Sequence, residues 1–285
     1  MNSLICLQIE TTNLCNGHCV FCPHSRFTEF GTMVDELYQK IVRQAAELPN
    51  LQFFIPMLTG EPFCDKNFME RLRSAREILP PSVKILIYTN GSLLTEGIIR
   101  ELGKVPNLQI DVSLNATTPD TRKRVMGLDD FHHVVRAIKY MEEAGVPCRM
   151  SMVGCPEISS EEAGDFIKAG GTVIQYQSWC GEQYPYMRQG PTSCMRAKSY
   201  MTVRYDGRVN LCCFDPLGRV VFGDLNNNTI EEVWQSDKHR EYQALHNEGR
   251  GAQLPLCCSC TEGHFTDKFL ELVCNLKPEE VCHVN

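Results

Sequence analysis

The sequence has no run of about 18 or more apolar residues, which is the length that a membrane-spanning helix requires. Its first residues, Met1-Asn2-Ser3, lack the charged and apolar regions of a signal peptide. It has no excess of basic residues, since its net charge is −7. Internal repeats and low-complexity segments are also absent. These absences predict a cytoplasmic protein with no membrane segment and no broad basic surface for nucleic acid.

Cysteine, in contrast, is abundant, with 16 among 285 residues. Without an export signal, such cysteines are expected to be metal ligands or catalytic groups rather than disulfides. They form two groups, one within residues 15–22 and the other within residues 194–260. Four that lie singly are expected to be small buried apolar side chains: Cys6, Cys64, Cys148 and Cys155.

The first group follows the apolar run Leu4–Glu10 and consists of Cys15, Cys19 and Cys22, at the spacing C-x3-C-x2-C. Three thiols cannot all pair as disulfides, so we expect them to converge on one metal centre. Thiolate ligands select iron–sulfur clusters, zinc or cuprous ions. A [4Fe–4S] cluster normally takes four thiolates, so three leave one iron open to a substrate or cofactor. The loop predicts a catalytic iron–sulfur enzyme, with a partial zinc site as the alternative.

Segments rich in β-forming residues alternate with amphipathic segments from residue 4 to about residue 177. Six predicted strands cover Leu4–Glu10, Gln52–Leu58, Val83–Thr89, Leu108–Ser113, Cys148–Val153 and Thr172–Gln177. Five predicted helices cover Asp35–Glu47, Asn67–Ile78, Thr95–Leu102, Phe131–Ala144 and Ser160–Ala169. This alternation predicts an α/β fold with a parallel sheet. Six units are fewer than the eight of a closed barrel, so we expect a partial (β/α)6 TIM-like barrel.

Polar residues follow the predicted strands at the edge where parallel strands present their functional loops. The cysteine loop follows the first strand, and Thr59-Gly60-Glu61-Pro62 follows the second. Asn90-Gly91 follows the third strand, and Leu114-Asn115 follows the fourth. We therefore expect one rim of the barrel to carry the active site.

The β–α pattern ends near residue 178, where a connecting loop over residues 179–192 is predicted from its prolines and glycines. Asp206-Gly207 predicts a β-hairpin between Tyr200–Tyr205 and Arg208–Cys213. Thr229 is expected to cap a helix that runs from Ile230 to about Leu245. We predict a partial barrel over residues 1–190, a small β-hairpin-plus-helix iron–sulfur domain over 191–265 and a C-terminal tail over 266–285.

The cysteine loop resembles that of the radical S-adenosylmethionine (SAM) enzymes, with Cys15, Cys19 and Cys22 at matching positions. The resemblance implies that these residues hold a [4Fe–4S] cluster whose fourth iron binds SAM. It also implies an external reductant such as flavodoxin or ferredoxin, whose electron cleaves SAM to methionine and a 5′-deoxyadenosyl radical. That radical removes a hydrogen atom from the substrate.

Other rim residues resemble the SAM-binding positions of the same family. Thr59, Gly60 and Glu61 resemble the Gly-Gly-Glu motif that receives the amino group of SAM, with Thr59 in place of the first glycine. The remaining matches are Phe21 beside the adenine, Asn90 in a Thr-Asn-Gly segment, and Ser113 with Asn115 at the SAM ribose and carboxylate. For Asn90, Ser113 and Asn115 the alternative is a simple role in turns.

The second group provides four thiolates, which close the coordination sphere of a cluster: Cys194, Cys212, Cys257 and Cys260. The spacing C-x12-G-x4-C, followed later by C-x2-C, resembles the SPASM and twitch domains appended to many radical SAM enzymes. Because no matching cysteines follow Cys260, the resemblance implies the shorter twitch form with one auxiliary [4Fe–4S] cluster. The alternatives are zinc on the same ligands and exchange with the neighbouring Cys213 or Cys258.

A short chain that begins at the first strand and has one auxiliary site favours a small polar substrate, most plausibly an alcohol oxidised to a ketone. Twitch enzymes include a dehydrogenase of this kind. Because SPASM relatives include peptide maturases, peptide modification is the alternative, and a non-catalytic iron–sulfur or zinc scaffold is another. Substrate contacts are expected from the predicted barrel interior and the connecting loop, at Arg149, Gln175, Gln177, Trp179, Tyr184 and Tyr186.

Overall fold

The computed structural model describes residues 3–183 and 190–262. The predicted tail 266–285, together with Tyr184 and Tyr186 of the predicted loop, lies outside the described residues. In the part that the structure describes, no helix is long and apolar enough to cross a bilayer.

Six parallel strands and the helices between them form the first part of the chain. The strands are β1 (Cys6–Ile9), β2 (Phe53–Ile55), β3 (Lys84–Thr89), β4 (Leu108–Ser113), β5 (Cys148–Gly154) and β6 (Thr172–Gln175). The helices are α1 (Asp35–Ala46), α2 (Phe68–Ile78), α3 (Glu96–Leu102), α4 (Pro119–Met126), α5 (Phe131–Glu143) and α6 (Ser160–Lys168). The predicted partial barrel is confirmed, and β1 to β6 follow one another in the sheet.

Three further strands extend the same sheet beyond β1. Strand β7 (Tyr200–Val203) pairs parallel to β1, and β8 (Arg208–Asn210) and β9 (Val221–Asp224) follow it in antiparallel order. The sheet order is therefore β6-β5-β4-β3-β2-β1-β7-β8-β9. The predicted hairpin is thus continuous with the barrel sheet, and the domain boundary at 190/191 stays a prediction.

Several short elements differ from the sequence-based prediction. Helix α4 was not predicted, although Thr118 caps its first turn and Gly127 ends it in the left-handed conformation. The predicted helix from Ile230 to Leu245 is two helices, because Ser236 caps a new first turn. The elements of this region are α7 (Met195–Ser199), α8 (Ile230–Trp234) and α9 (Asp237–Asn247).

Alternation of side chains along the strands decides which face meets the helices. In β3 and β4, the residues Ile85, Ile87, Ile110 and Val112 are fully buried and alternate with half-buried neighbours. They belong to one apolar core that also contains Tyr38 of α1 and its neighbours on the surrounding helices. The opposite face of the strands therefore lines the barrel interior.

Polar side chains occupy that interior face. Tyr88, Asp111 and Arg149 are aligned across β3, β4 and β5, and one step nearer the rim Ser113 is aligned with Ser151. The Asp111 carboxylate accepts a hydrogen bond from the Ser151 hydroxyl at 2.6 Å and lies 3.6 Å from the Arg149 guanidinium. The barrel interior thus presents charged and hydroxyl groups together.

The register separates Gln175 from Arg149, contrary to expectation. Val153 pairs with Ile174, so Ile174 shares the face of Arg149, and Gln175 lies on the opposite face. The amide of Gln175 donates to the carbonyl oxygen of Thr261 at 3.0 Å, and the Thr261 hydroxyl donates to Gln177 at 2.6 Å. These two glutamines attach the end of the described chain to β6.

Candidate active site

The loop that carries the first three cysteines is held against the end of α4. The backbone amide of His18 donates to the carbonyl of Met126 at 2.8 Å, and that of Val20 donates to the carbonyl of Val125 at 2.9 Å. Within the loop, the amide of Cys22 donates to the carbonyl of Cys19 at 3.1 Å. The helix that the sequence did not predict therefore positions the cysteine loop.

Cys15, Cys19 and Cys22 are half-buried, and the charges of Cys15 and Cys22 disfavour ionisation of the Cys19 thiol. Burial raises the pKa of all three, to about 12 for Cys22, and the neighbouring Cys22 and Cys15 raise the pKa of Cys19 further. Buried thiols with raised pKa values resist ionisation unless a cation neutralises them. This donor set fits an iron–sulfur cluster.

Gly60 brings the end of β2 against the cysteine loop. A Cβ atom added at this position would lie 2.4 Å from the Thr12 carbonyl oxygen and 2.7 Å from that of Leu14. The neighbouring amide of Glu61 donates to the same Leu14 carbonyl at 2.8 Å. Only glycine permits this approach, which fixes Glu61 beside the cysteines.

Glu61 is a buried residue at the rim, and its carboxylate accepts hydrogen bonds from uncharged groups. It accepts hydrogen bonds from the Thr89 hydroxyl at 2.7 Å, the Asn90 amide at 2.7 Å and the Phe63 amide at 3.3 Å. Burial raises its pKa from 4.5 to about 7. A buried carboxylate with neutral partners is suited to an incoming ammonium group, such as the amino group of SAM.

Thr59 stands where the family motif has a glycine, and its side chain has a hydrogen-bond partner in Glu10. Its hydroxyl donates to Glu10, and its amide donates to the same carboxylate oxygen at 3.3 Å. The other Glu10 oxygen accepts the amide of Tyr205, just beyond β7, at 3.2 Å. Glu10 is fully buried, and this burial raises its pKa. Thr59 therefore helps to hold a carboxylate that connects β1, β2 and β7.

Asn90 connects the third strand to the cysteine loop through its side chain. Its Nδ2 donates to Oδ1 of Asn16 at 2.7 Å, while its backbone amide donates to Glu61.

Asn115, expected at the SAM ribose or carboxylate, forms its side-chain hydrogen bonds within the protein. Its Oδ1 accepts the Val153 amide at 2.7 Å, and its Nδ2 donates to the Ser113 carbonyl at 3.4 Å. Asn115 thus holds the ends of β4 and β5 together beside half-buried Ser113.

Arg122 of α4 is a rim residue that the sequence did not reveal. Its guanidinium is fully buried and donates to the carbonyls of Asn90 at 2.7 Å and Leu114 at 2.9 Å. Its Nε donates to Asp130 at 2.6 Å. Arg122 therefore ties together the loops after β3 and β4, and the polar segment around it gave no signal of burial.

The four cysteines of the second group gather from separate elements. Cys194 precedes α7, Cys212 follows β8, and Cys257 and Cys260 flank a short 3-10 helix. Cys257 and Cys260 are buried, and the charges of Cys212, Cys260 and Cys194 all raise the pKa of Cys257, after burial itself. This set of thiols fits an auxiliary iron–sulfur cluster.

Cys213 and Cys258, the alternative ligands, differ in exposure and in their contacts. Cys258 is exposed, and the Cys213 thiol accepts a contact from the Arg196 guanidinium at 3.5 Å. Buried His246, also missed from the sequence, places its Nε2 3.5 Å from the Cys257 sulfur. Cys180, which no sequence pattern singled out, is buried among the same thiols.

Trp179 lies between the two cysteine groups. Its indole Nε1 donates to the backbone carbonyl of Phe21 at 3.0 Å, and its ring meets Phe214 edge-on at 5.6 Å. Phe21 itself is half-buried against the core. The connecting segment therefore contacts the SAM-site loop directly.

Two family models match separate parts of the chain. The Radical SAM superfamily matches residues 9–169, and an iron–sulfur cluster-binding domain of the SPASM type matches residues 194–261. With the two donor sets described above, these matches identify the cofactors as SAM, a [4Fe–4S] cluster and one auxiliary iron–sulfur cluster.

Two relatives show how far the similarity extends. The S-adenosyl-L-methionine-dependent 2-deoxy-scyllo-inosamine dehydrogenase of Niallia circulans is 23% identical over 256 residues, or 89% of this chain and 91% of that protein. A probable GTP 3′,8-cyclase of Thermococcus kodakarensis is 26% identical over 174 residues, covering 59% of this chain and 55% of that protein. The first similarity spans most of both chains, whereas the second spans little more than half of each.

Solved structures share the fold at low sequence identity. BtrN in complex with AdoMet and 2-DOIA superposes with a TM-score of 0.69 at 21% identity, covering 94% of this chain and 97% of that one. SuiB of Streptococcus suis bound to its precursor peptide SuiA gives a TM-score of 0.70 at 17% identity, covering 91% of this chain and 70% of that one. From the cysteine loop, the rim and the matched models together, the chain belongs to the radical SAM superfamily and carries a SPASM/twitch iron–sulfur domain.

Proposed function

We propose that this protein is a radical SAM dehydrogenase that oxidises one alcohol carbon of a small polar metabolite to a ketone. The observation that carries the proposal is the row of polar interior side chains Tyr88, Asp111 and Arg149, one step below Ser113 at the rim. A carboxylate, a guanidinium and a phenol in one row suit a ligand that carries several hydroxyl or amino groups.

At the rim, we assign Cys15, Cys19 and Cys22 to the [4Fe–4S] cluster and Glu61 to the SAM amino group. Thr59, Gly60, Asn90 and Phe21 shape that site, and Ser113 lies at its border with the interior. When bound, the cluster and SAM would supply a 5′-deoxyadenosyl radical able to remove a hydrogen atom from the carbinol carbon. An external flavodoxin or ferredoxin in the cytoplasm is proposed as the reductant.

The oxidation must then remove one proton and one electron from the substrate. We assign the proton to Asp111, since burial raises its pKa and a carboxylate with a raised pKa is a better general base. Ser151 and Arg149 hold this carboxylate in place. After the proton and the electron leave, the carbinol carbon is a ketone.

When bound, an auxiliary cluster would be held by Cys194, Cys212, Cys257 and Cys260 and would supply an acceptor for the electron. That site adjoins the barrel interior through Arg196, which contacts the Cys213 sulfur. The same guanidinium lies 5.7 Å from the ring centre of Tyr200, which is aligned with Cys6 of β1. Arg196 therefore connects the proposed acceptor site to the strands β7 and β1.

The test is to incubate reconstituted, reduced enzyme with SAM and a panel of amino-substituted cyclic polyols, including 2-deoxy-scyllo-inosamine. The expected result is 5′-deoxyadenosine together with a product two mass units lighter than the alcohol. An Asp111→Asn variant is expected to cleave SAM and yield at least tenfold less ketone. Absence of SAM cleavage under these conditions would support a non-catalytic scaffold and overturn the proposal.

Peptide modification is the second candidate, because the SuiB structure with a bound precursor peptide shares this fold. The two candidates predict different products. A ketone from a small alcohol supports the dehydrogenase, and a crosslinked or epimerised peptide supports the alternative.

A further inference from the structure

Glu182 of the connecting segment is a buried carboxylate that contacts two arginines from different parts of the chain. Its side chain is 5% exposed, whereas those of Arg26 and Arg219 are about half exposed. The Arg26 guanidinium donates to one carboxylate oxygen of Glu182 at 2.8 Å, and the Arg219 guanidinium forms an ion pair with the other oxygen. A buried charge is tolerated where opposite charges and hydrogen bonds replace water, so these two contacts compensate for the burial of Glu182.

The two arginines belong to the two parts of the chain that carry the cysteine groups. Arg26 ends a short 3-10 helix that begins directly after Cys22. Arg219 lies in the loop between β8 and β9, and this loop also carries Cys212. One carboxylate in the connecting segment is therefore paired with one arginine from each cysteine-bearing region.

Two other side chains of the connecting segment contact the cysteine loop of the first site. The indole of Trp179 donates to the carbonyl of Phe21 at 3.0 Å, and the side-chain amide of Gln183 donates to the carbonyl of Val20. The same loop is bonded to α4, because the Val20 amide donates to the Val125 carbonyl at 2.9 Å. The cysteine loop is thus held by α4 and by the connecting segment together.

We propose that Glu182 is a positioning residue that holds the cysteine loop and the β8–β9 loop in fixed relation, through Arg26 and Arg219 respectively. Phe21, expected beside the adenine of SAM, lies in the loop that Arg26 continues, so loss of the Arg26 contact should weaken SAM binding. The inference goes beyond the proposed alcohol oxidation, because it concerns the placement of two loops and holds for any substrate.

The experiment measures amide hydrogen exchange by mass spectrometry, and SAM affinity by isothermal titration, on the reconstituted full chain. Glu182→Gln keeps the shape of the side chain and removes its charge. Exchange should therefore rise about tenfold both in residues 15–26 and in residues 212–221, and SAM binding should weaken about tenfold. Glu182→Asp keeps the charge on a shorter side chain and should recover part of the protection in both ranges.

The two arginine variants separate the two contacts. Arg26→Met should raise exchange in residues 15–26 only and weaken SAM binding to the same extent as Glu182→Gln. Arg219→Met should raise exchange in residues 212–221 only and leave the affinity for SAM within twofold of the parent. Arg250→Met is the matched control, since Arg250 is also about half exposed and pairs with Glu248 at 3.0 Å. It should leave both ranges and SAM binding unchanged.

Strand β4 is the internal control, because a general loss of stability would raise its exchange as well. The proposal is overturned if Glu182→Gln leaves both ranges as protected as in the parent, or if exchange in β4 rises equally. Where Glu182→Gln does not fold, the two arginine variants decide, since each must loosen its own range only. Absence of ketone formation in the parent would count against the proposed oxidation and not against this role of Glu182.

Discussion

The indole nitrogen of Trp179 donates a hydrogen bond to the carbonyl of Phe21 at 3.0 Å, which joins the connecting segment to the loop of the first cluster. Phe21 is followed by Cys22, and Trp179 is followed by Cys180. A single side chain thus spans the region between the two iron–sulfur sites.

Replacing Trp179 with phenylalanine removes this hydrogen bond and keeps an aromatic ring against Phe214. The free energy of unfolding should fall by about 1 kcal/mol. SAM should be cleaved more often per ketone formed, because the two sites are no longer held in fixed relation. The measurement is the ratio of 5′-deoxyadenosine to ketone. Trp234→Phe, a change at a buried residue of α8, is the control and should leave the ratio unchanged.

Arg122→Met should destabilise the protein by about 3–5 kcal/mol, because it leaves Asp130 and two loop carbonyls without their buried cation. SAM binding should weaken as well, since the loops after β3 and β4 lose their connection. Arg124→Met is the matched control on the same helix, where an exposed arginine contributes about 0–1 kcal/mol. Equal losses in urea unfolding of the two variants would contradict the role given to Arg122.

Local sequence patterns were sufficient to predict the six barrel strands, because each strand is a short segment rich in apolar, β-forming residues. Helix α4 was missed because its residues are mostly polar and its buried face depends on Arg122, although Pro119 and Gly127 mark its ends. The pairing of β7 with β1 joins residues far apart in the chain, which no local pattern reveals.

The seven cysteines proposed as ligands and Glu61 could be singled out because their spacing and order resemble a known family. Glu10, Arg122 and Cys180 could not, since their burial arises only when distant segments pack together. Gln175 was assigned to the wrong face because the register of β6 against β5 fixes Ile174 on the interior side, and no local pattern reveals that register.

The affinity for SAM should depend on pH through Glu61, for which the pKa is raised by burial to about 7. The ammonium of SAM prefers the ionised carboxylate, so affinity should rise about tenfold per pH unit below 7 and level off above it. In the SAM-free protein, the titration of Glu61 changes the free energy of unfolding in the opposite direction, so that stability falls as pH rises. The stabilising effect of the protonated group is complete below pH 4.5 and is lost as pH rises through 7.

Isothermal titration with SAM from pH 5.5 to 8.5 checks this dependence. Glu61→Gln should bind weakly and without the pH dependence below 7, because its amide does not ionise. A Glu61→Gln protein with the same pH profile as the parent would assign the titration to another group.

His246→Phe should lower the reduction potential of the auxiliary cluster. A ring nitrogen 3.5 Å from the Cys257 sulfur can donate to it, and such hydrogen bonds stabilise the reduced cluster. His239→Phe is the control, since that histidine is also buried but contacts the Trp234 carbonyl at 2.9 Å. A redox titration should shift for the first variant only, and equal potentials in both would rule out this role.

The most direct test of alcohol oxidation uses a substrate with deuterium at its carbinol carbon. The enzyme should transfer that deuterium to 5′-deoxyadenosine and release the corresponding ketone in equal amount. Cleavage of SAM that leaves the alcohol intact and 5′-deoxyadenosine unlabelled, while a peptide is modified in the same assay, would contradict it.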